Sequence, residues 1–350
     1  MFKELREFER PLSGPLGVPE ETPMCCLPVL RQLDYLFVGV PSSVPAVVIA
    51  GGVLADGTPV SGAGRTREAA LLRLAGEAAE QLGLRAAVAE LPSDRTIYVF
   101  DWGGKDVGVV DRSVLPLTAS DTAGFSEGLA AHTDVAQARL HGALELFERD
   151  AAAHWWAGAT AAIGITDIED RVVDVLGVRP TRQTRLLDVT CDTGVPVVVA
   201  AAFDVTGAGF CFGAAAGMSL EVAMTSALRE LGAAEFGQVL EQSRGAKPVD
   251  DGTGLTVNTL TLEVMETQMV AQRVPFKTQV RARRALAPEE WPAVMQENEI
   301  GIVDLGCVAG QFWAIKAVST ALQSGRETFV CPRFQAALLG KTRRTQGPLY

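Results

Sequence analysis

The stretch ARLHGALELFERDAAAHWW, residues 138–156, decides the fold. It reads as one helix of about five turns at 3.6 residues per turn. Leu140, Ala143, Leu144, Phe147 and Ala151 form an apolar stripe along it. Glu145 and Glu148 are three apart, so their carboxylates share a face beside that stripe, and Arg149 follows directly. Two carboxylates beside an apolar stripe are partly buried. They repel unless a cation, or an ion-bound phosphate, lies between them.

The pattern recurs twice. Residues 68–83, EAALLRLAGEAAEQLG, place Glu77 and Glu80 at the same spacing on an alanine- and leucine-rich helix. Residues 220–238, LEVAMTSALRELGAAEFGQ, place Glu230 and Glu235 on a third. Each helix follows what reads as a glycine-rich turn: SGAG at 61–64, SEGLAAH at 126–132 and FGAAAGMS at 212–219. Any one of these is also an ordinary amphipathic helix with solvated glutamates. Three in one chain, two of them with Glu-x-x-Glu, point to a divalent-metal site. Magnesium suits such donors, because a few carboxylates plus nucleotide phosphates usually hold it. Glycines near helix starts let backbone N–H groups approach phosphate. No G-x-x-x-x-G-K-[ST] phosphate loop occurs.

With 350 residues, 48% of them hydrophobic, the chain can bury a large core in one domain or two. A charged fraction of 21% is too low for a disordered chain. No apolar run is long enough for a transmembrane helix. The start, MFKELREFERPL, lacks the apolar region of a secretory signal. Cysteines are scattered apart from Cys25 and Cys26, no C-x-x-C occurs, and the histidines are His132, His141 and His154. That pattern points to free thiols in a reducing cytoplasm rather than to zinc. The net charge of −11 argues against nucleic-acid and anionic-membrane partners. It leaves ATP open, since bound magnesium inverts the local sign.

Residues 1–26, with PLSGPLGVPEETP, read as a loosely ordered arm, and residues 27–350 as one domain of helices layered on sheet. Between residues 27 and 51, LPVLRQLDYLFVGV and VPAVVIAGG are strand-like and broken by PSS. Thr66 is placed to cap the first glutamate helix. A strand at 96–101 leads into the turn DWGGKD, whose Lys105 is either a phosphate contact or a surface lysine. A short helix is expected at 168–176. Strands at 185–191, 195–203 and 209–215, joined by CDTG and DVTGAG, make a meander feeding the third glutamate helix. Residues 257–274 are ambiguous, 288–297 read as helix, and 301–304 and 312–319 as strands. The tail carries Lys341, Arg343 and Arg344, read as solvated.

Taken together, the glycine-preceded Glu-x-x-Glu helices and the lone-Glu helix resemble the YcaO domain. The resemblance runs from about residue 27 to residue 241 and is most specific at 126–150, SEGLAAHTDVAQARLHGALELFERD. It implies an α/β protein of the α+β type, a single YcaO-like domain with glutamate-bearing helices layered on mixed or antiparallel sheets. It implies ATP and Mg2+ as cofactors, with Glu77, Glu80, Glu145, Glu148 and Glu230 matching the family's metal-binding glutamates. Arg149 matches the arginine that follows the second pair. The resemblance assigns no catalytic side chain.

Several positions depart from the family pattern: Arg73 stands for a serine and Gln81 for an arginine. His132 and Thr133 stand for Gly-Asn, Gln137 for Glu, Ser226 for Arg and Ala233 for Gln, and the chain ends GPLY without a Pro-x-Pro-x-Pro tail. Arg73 and Lys105 are candidates to replace the missing positive charge at the phosphates. The activity implied is ATP-dependent activation of backbone amides in a ribosomally made peptide, with azoline cyclodehydration expected. Macroamidine or thioamide formation, or a non-catalytic scaffold role, are the alternatives. The resemblance further implies a precursor-peptide substrate and a separate leader-peptide-binding protein. A homodimer or heteromeric synthetase complex is expected, with Leu146, Trp155 and Trp156 offering apolar surface.

Overall fold

Glycine and alanine let three long helices press against three sheets until the six elements close on one another. The computed structural model describes residues 2–9, 22–91, 96–110, 114–115, 126–177, 182–203, 210–243, 270–323 and 331–339. In chain order the elements begin with β1 (Phe2–Glu9), α1 (Leu27–Leu30), β2 (Leu33–Pro41), β3 (Val48–Leu54), β4 (Pro59–Gly64) and α2 (Arg67–Glu90). Next come β5 (Ile97–Phe100), β6 (Asp106–Val110), β7 (Leu129–His132), α3 (Val135–Trp156), β8 (Ala162–Thr166) and α4 (Glu169–Leu176). Then follow β9 (Gln183–Asp188), β10 (Val197–Phe203), β11 (Cys211–Ala216) and α5 (Leu220–Ser243). The last described part holds β12 (Val270–Pro275), α6 (Phe276–Ala282), α7 (Trp291–Glu297), β13 (Ile300–Val308), β14 (Phe312–Ser319) and α8 (Pro332–Leu338).

The first sheet runs β1-β2-β3-β4, the second β11-β10-β9-β8-β12, and the third β6-β5-β13-β14-β7. Pairing is antiparallel except between β8 and β12. This is the expected α+β architecture of mixed and antiparallel sheets. Each glutamate helix spans two sheets. Helix α2 lies between the first and third, α3 between the third and second, and α5 between the second and first. Leu71 and Leu74 of α2 share a core with Leu36 and Val60 on one side and Val303 and Phe312 on the other. Met224 and Leu228 of α5 pack with Ile49, Val198 and Ala200.

The helix starts follow local chemistry. Thr66 Oγ1 accepts the N–H of Ala69 at 3.1 Å, as expected of an N-cap. Asp134 Oδ1 does the same for Ala136 at 2.8 Å at the start of α3. Close approach explains two glycines. A Cβ on Gly62 would stand 2.4 Å from the carbonyl oxygen of Ala70, and one on Gly213 would stand 2.4 Å from that of Ala227. Strand backbone therefore touches helix backbone in β4–α2 and again in β11–α5.

Four expectations are corrected. The SGAG and LAAH runs are not turns but strands β4 and β7, and FGAAA belongs to β11, the strand expected at 209–215; all three are glycine- and alanine-rich because helices lie directly on them. LPVL is helical rather than extended, with proline in the first turn where its missing N–H costs nothing. The arm read as loose contributes β1, antiparallel to β2 from Phe2↔Pro41 to Glu9↔Tyr35. Leu146 and Trp155, expected to offer apolar surface, are core at 8% and 1% exposure, while Trp156 is half-buried. The DVTGAG turn, most of the ambiguous 257–274 segment and the basic tail lie outside the described residues. Among the described residues, no helix is long and apolar enough to cross a membrane.

Candidate functional site

Where α2, α3 and α5 meet, five carboxylates converge, and the surrounding strands hold three of them by main chain. Glu77 accepts the N–H of Ser61 in β4 at 2.8 Å and the Ser61 hydroxyl at 3.3 Å. Glu80 accepts the N–H of Ala131 in β7 at 3.2 Å. Glu230 accepts the N–H of Ala214 in β11. The two remaining acids share a counter-ion. Arg149 Nη2 lies 3.3 Å from Glu145 Oε1, and its Nη1 lies 3.2 Å from Glu148 Oε1.

Burial makes these acids reluctant to ionise. Desolvation is the largest cause at all five, and it raises every carboxyl above the usual range. Glu80 is pushed well up, with Glu145 and Glu77 adding repulsion. Glu148 is also pushed well up; Arg149 opposes the rise, while Glu230 and Glu145 add to it. Glu230 rises to about 7 through burial, against the pull of Arg149. Glu230 is exposed, so the cluster forms a recess open to solvent on the α5 side. These mutual influences tie all five acids into one electrostatic cluster.

The donors fit magnesium. They are hard oxygens without histidine or cysteine among them. Among the described residues, no group of three His, Cys, Asp or Glu side chains is close enough to hold a metal ion by itself. Magnesium does not require such a group, since it keeps waters and takes phosphate oxygens alongside one or two carboxylates.

The other candidates separate. Arg73 is on the recess side: its charge lowers the Glu230 carboxyl, and its Nη1 donates to the Ala63 carbonyl at 2.5 Å. Lys105 is elsewhere. Its turn is fixed by its own N–H to Asp101 Oδ1 at 2.9 Å, and by Arg139 Nη1 to the Trp102 carbonyl at 2.6 Å. Arg139 is nine residues before Glu148, about half a turn round α3 at roughly 100° per residue, so this contact is on the far side. Glu235 also leaves the cluster, pairing with Arg182 at 3.2 Å. Of the departures from the family pattern, Ala233 packs against apolar core and offers no polar contact.

Sequence reasoning passed over Lys316. It is 4% exposed in β14, donates to the Glu127 carbonyl at 2.7 Å, and lowers the Glu145 carboxyl. A lone lysine inside the apolar run FWAIKAVS was the available signal. The Ser61 anchor had no such signal.

Residues 116–297 match the profile of a family described as YcaO cyclodehydratase, ATP- and Mg2+-binding. The match covers more than half of the chain, and the chain belongs to the YcaO family. ATP and Mg2+ are the cofactors of that family, as the resemblance implied. No curated protein matches the chain in sequence. Solved structures share the fold. YcaO from Methanopyrus kandleri bound with AMPPCP and Mg2+ is 16% identical, with a TM-score of 0.62 over 81% of this chain and 84% of that one. A heterocyclase in complex with substrate and cofactor is 15% identical with a TM-score of 0.62 over 89% of this chain. This chain spans 54% of the heterocyclase's length. The E. coli microcin synthetase McbBCD complex with pro-MccB17 bound is 14% identical, with a TM-score of 0.55 over 82% of this chain and 88% of that one.

Proposed function

We propose that this chain activates backbone amides of a ribosomally made peptide by ATP-dependent O-phosphorylation, with azoline cyclodehydration as the outcome. The convergence of five desolvated carboxylates from three helices carries the reading. Glu77, Glu80, Glu145, Glu148 and Glu230 would hold Mg2+, and Arg149 with Arg73 would face the phosphates. When bound, Mg–ATP supplies the phosphoryl group that turns an amide oxygen into a leaving group. The chain's own part is positioning and charge neutralisation. Arg149 bridges Glu145 and Glu148 and offsets their repulsion until a stronger cation arrives. The anchors at Ser61, Ala131 and Ala214 fix where the acids point. Peptide side chains of Cys, Ser or Thr would be the nucleophiles, so no nucleophile is required of the protein. Residues 27–350 are read as one unit.

The E. coli relative is a complex with a bound peptide. That supports a precursor-peptide substrate here and a separate leader-binding partner. The test is incubation with Mg–ATP, that partner and a Cys/Ser/Thr-rich peptide, followed by mass spectrometry. Loss of water supports azoline or amidine formation, whereas exchange of oxygen for sulfur redirects the reading to a thioamide. The packing of half-buried Ala233 against apolar core, where the family pattern has a polar glutamine, favours a second reading as a non-catalytic scaffold. Thermal melts with Mg2+, ATP and both together separate the two, since a scaffold gives no shift.

A further inference from the structure

Asp150 is fully buried on α3, two residues after Glu148. Two residues turn an α-helix by about 200°, so Asp150 faces away from the glutamate recess. Four groups meet its carboxylate. Its Oδ1 accepts the N–H of Gln323 at 2.7 Å and lies 3.4 Å from His154 Nδ1. Its Oδ2 accepts the Cys191 thiol at 3.3 Å and the guanidinium of Arg333. Arg333 is at the start of α8 and reaches on to Asp192. The segment that carries it is pinned again where Cys331 N–H donates to Gln323 Oε1 at 3.0 Å.

We infer that Arg333 is a positioning residue for the glutamate helix: through Asp150 it fixes the rotation of α3 that presents Glu145 and Glu148 to the recess. Beside Asp150 the helix buries Ala151 and Ala152, and Phe147 and Trp155 pack within about a turn and a half on either side. Apolar packing is non-directional. A buried, hydrogen-bonded ion pair adds a directional constraint on the register of the helix. The pin and the recess lie on opposite sides of one rigid helix, so a turn at Asp150 displaces Glu148 by a like amount.

The inference rests on the Mg–ATP reading above, and a built-in control separates it from plain stability. Asp188 on β9 is a second buried aspartate. It meets Arg283 Nε at 2.7 Å, Gln279 Nε2 at 2.5 Å and the Thr190 N–H at 3.0 Å. The chemistry is the same, but its side-chain partners Gln279 and Arg283 lie in and just after α6.

The experiment compares the full-length parent with R333Q, R333K, D192N and R283Q. It measures the melting temperature without ligand and the Mg2+ concentration giving half of the ATP-dependent stabilisation. R333Q and R283Q should both melt lower. Only R333Q should raise the half-saturating Mg2+, by about tenfold, as supporting groups around metal ligands generally do. R333K should show a smaller rise, because lysine keeps the charge but not the fork. It carries the test if R333Q does not fold. D192N should raise the half-saturating Mg2+ less than R333Q, since the pair between Arg333 and Asp150 stays in place. If R333Q and R333K both keep the parent's half-saturating Mg2+, Arg333 is structural only. Absence of any Mg–ATP response in the parent overturns the ATP reading, and the positioning role with it.

Discussion

Glu80 on α2 accepts the backbone N–H of Ala131 in β7 at 3.2 Å, across 51 residues of chain. The bond joins a helix that rises from the first sheet to the last strand of the third. It places the Glu80 carboxylate within electrostatic reach of Glu145 on the neighbouring helix. An acid that looks like a surface residue by composition is in this way drawn to the centre.

Glu148→Gln and Glu145→Gln each remove charge while keeping volume. Both should fold and lose the Mg–ATP-dependent rise in melting temperature. Glu148→Gln should also melt higher than the parent without ligand at about pH 8, because a carboxyl raised well above its usual range destabilises the fold when ionised. Hydrolysis or stabilisation at the parent level in both variants would remove the glutamates from the site.

The same shifts set a pH dependence. Burial pushes the Glu230 carboxyl up to about 7 in the fold, from an ordinary value of 4.5. Between those values the folded chain binds more protons than the unfolded one, so stability falls as pH rises through that window. The contribution is fully present below the unfolded value and is lost by the folded one. The ligand-free melting temperature should therefore drop from about pH 5 to about pH 7.5, and Glu230→Gln should flatten the drop. Stabilisation by Mg–ATP should grow over the same range, since ligation requires the carboxylate form. A parent profile that rises with pH and a Glu230→Gln profile that matches it would contradict this account.

Gly62→Ala and Gly213→Ala place a methyl 2.4 Å from helix backbone. Overpacking of this kind costs about 1–3 kcal/mol. Each should also weaken Mg–ATP stabilisation by lifting a glutamate helix off its strand. Gly237, in α5, has nothing within 4 Å of its would-be Cβ. Gly237→Ala should stabilise by about 0.5–1 kcal/mol. Urea denaturation of the three variants is the check.

Helices α2, α3 and α5 were legible because alanine and leucine at helical spacing leave little alternative, and the cap at Thr66 is a purely local interaction. Strands β4 and β7 were not legible as strands, whereas β11 was, as the last strand of the meander at 209–215. The residues of β4 and β7 are small because of what lies on top of them, and a sequence shows the small residues but not the helix that demands them. Trp155 was misjudged for a related reason: helix α3 is covered on both sides, so a second apolar face meant more core rather than surface. Spacing picked out the pairs Glu77–Glu80 and Glu145–Glu148, and the family resemblance chose Glu230 over Glu235, whereas the anchors of these acids could not be read, since a backbone N–H has no letter. The pairing of Asp150 with Arg333 spans 183 residues and leaves no local trace.

That silence of the main chain has a consequence for how this site tolerates drift. Ser61, Ala131 and Ala214 each offer an amide hydrogen to a glutamate, and any residue except proline at those positions would offer the same one. The scaffolding that aims the acids is therefore written in the path of the chain rather than in its letters. Substitutions there change little so long as the strand can still lie flush beneath its helix. Sequence can change down to the 14–16% identity seen with the structural neighbours of this chain while the same fold, and with it the path of these strands, persists.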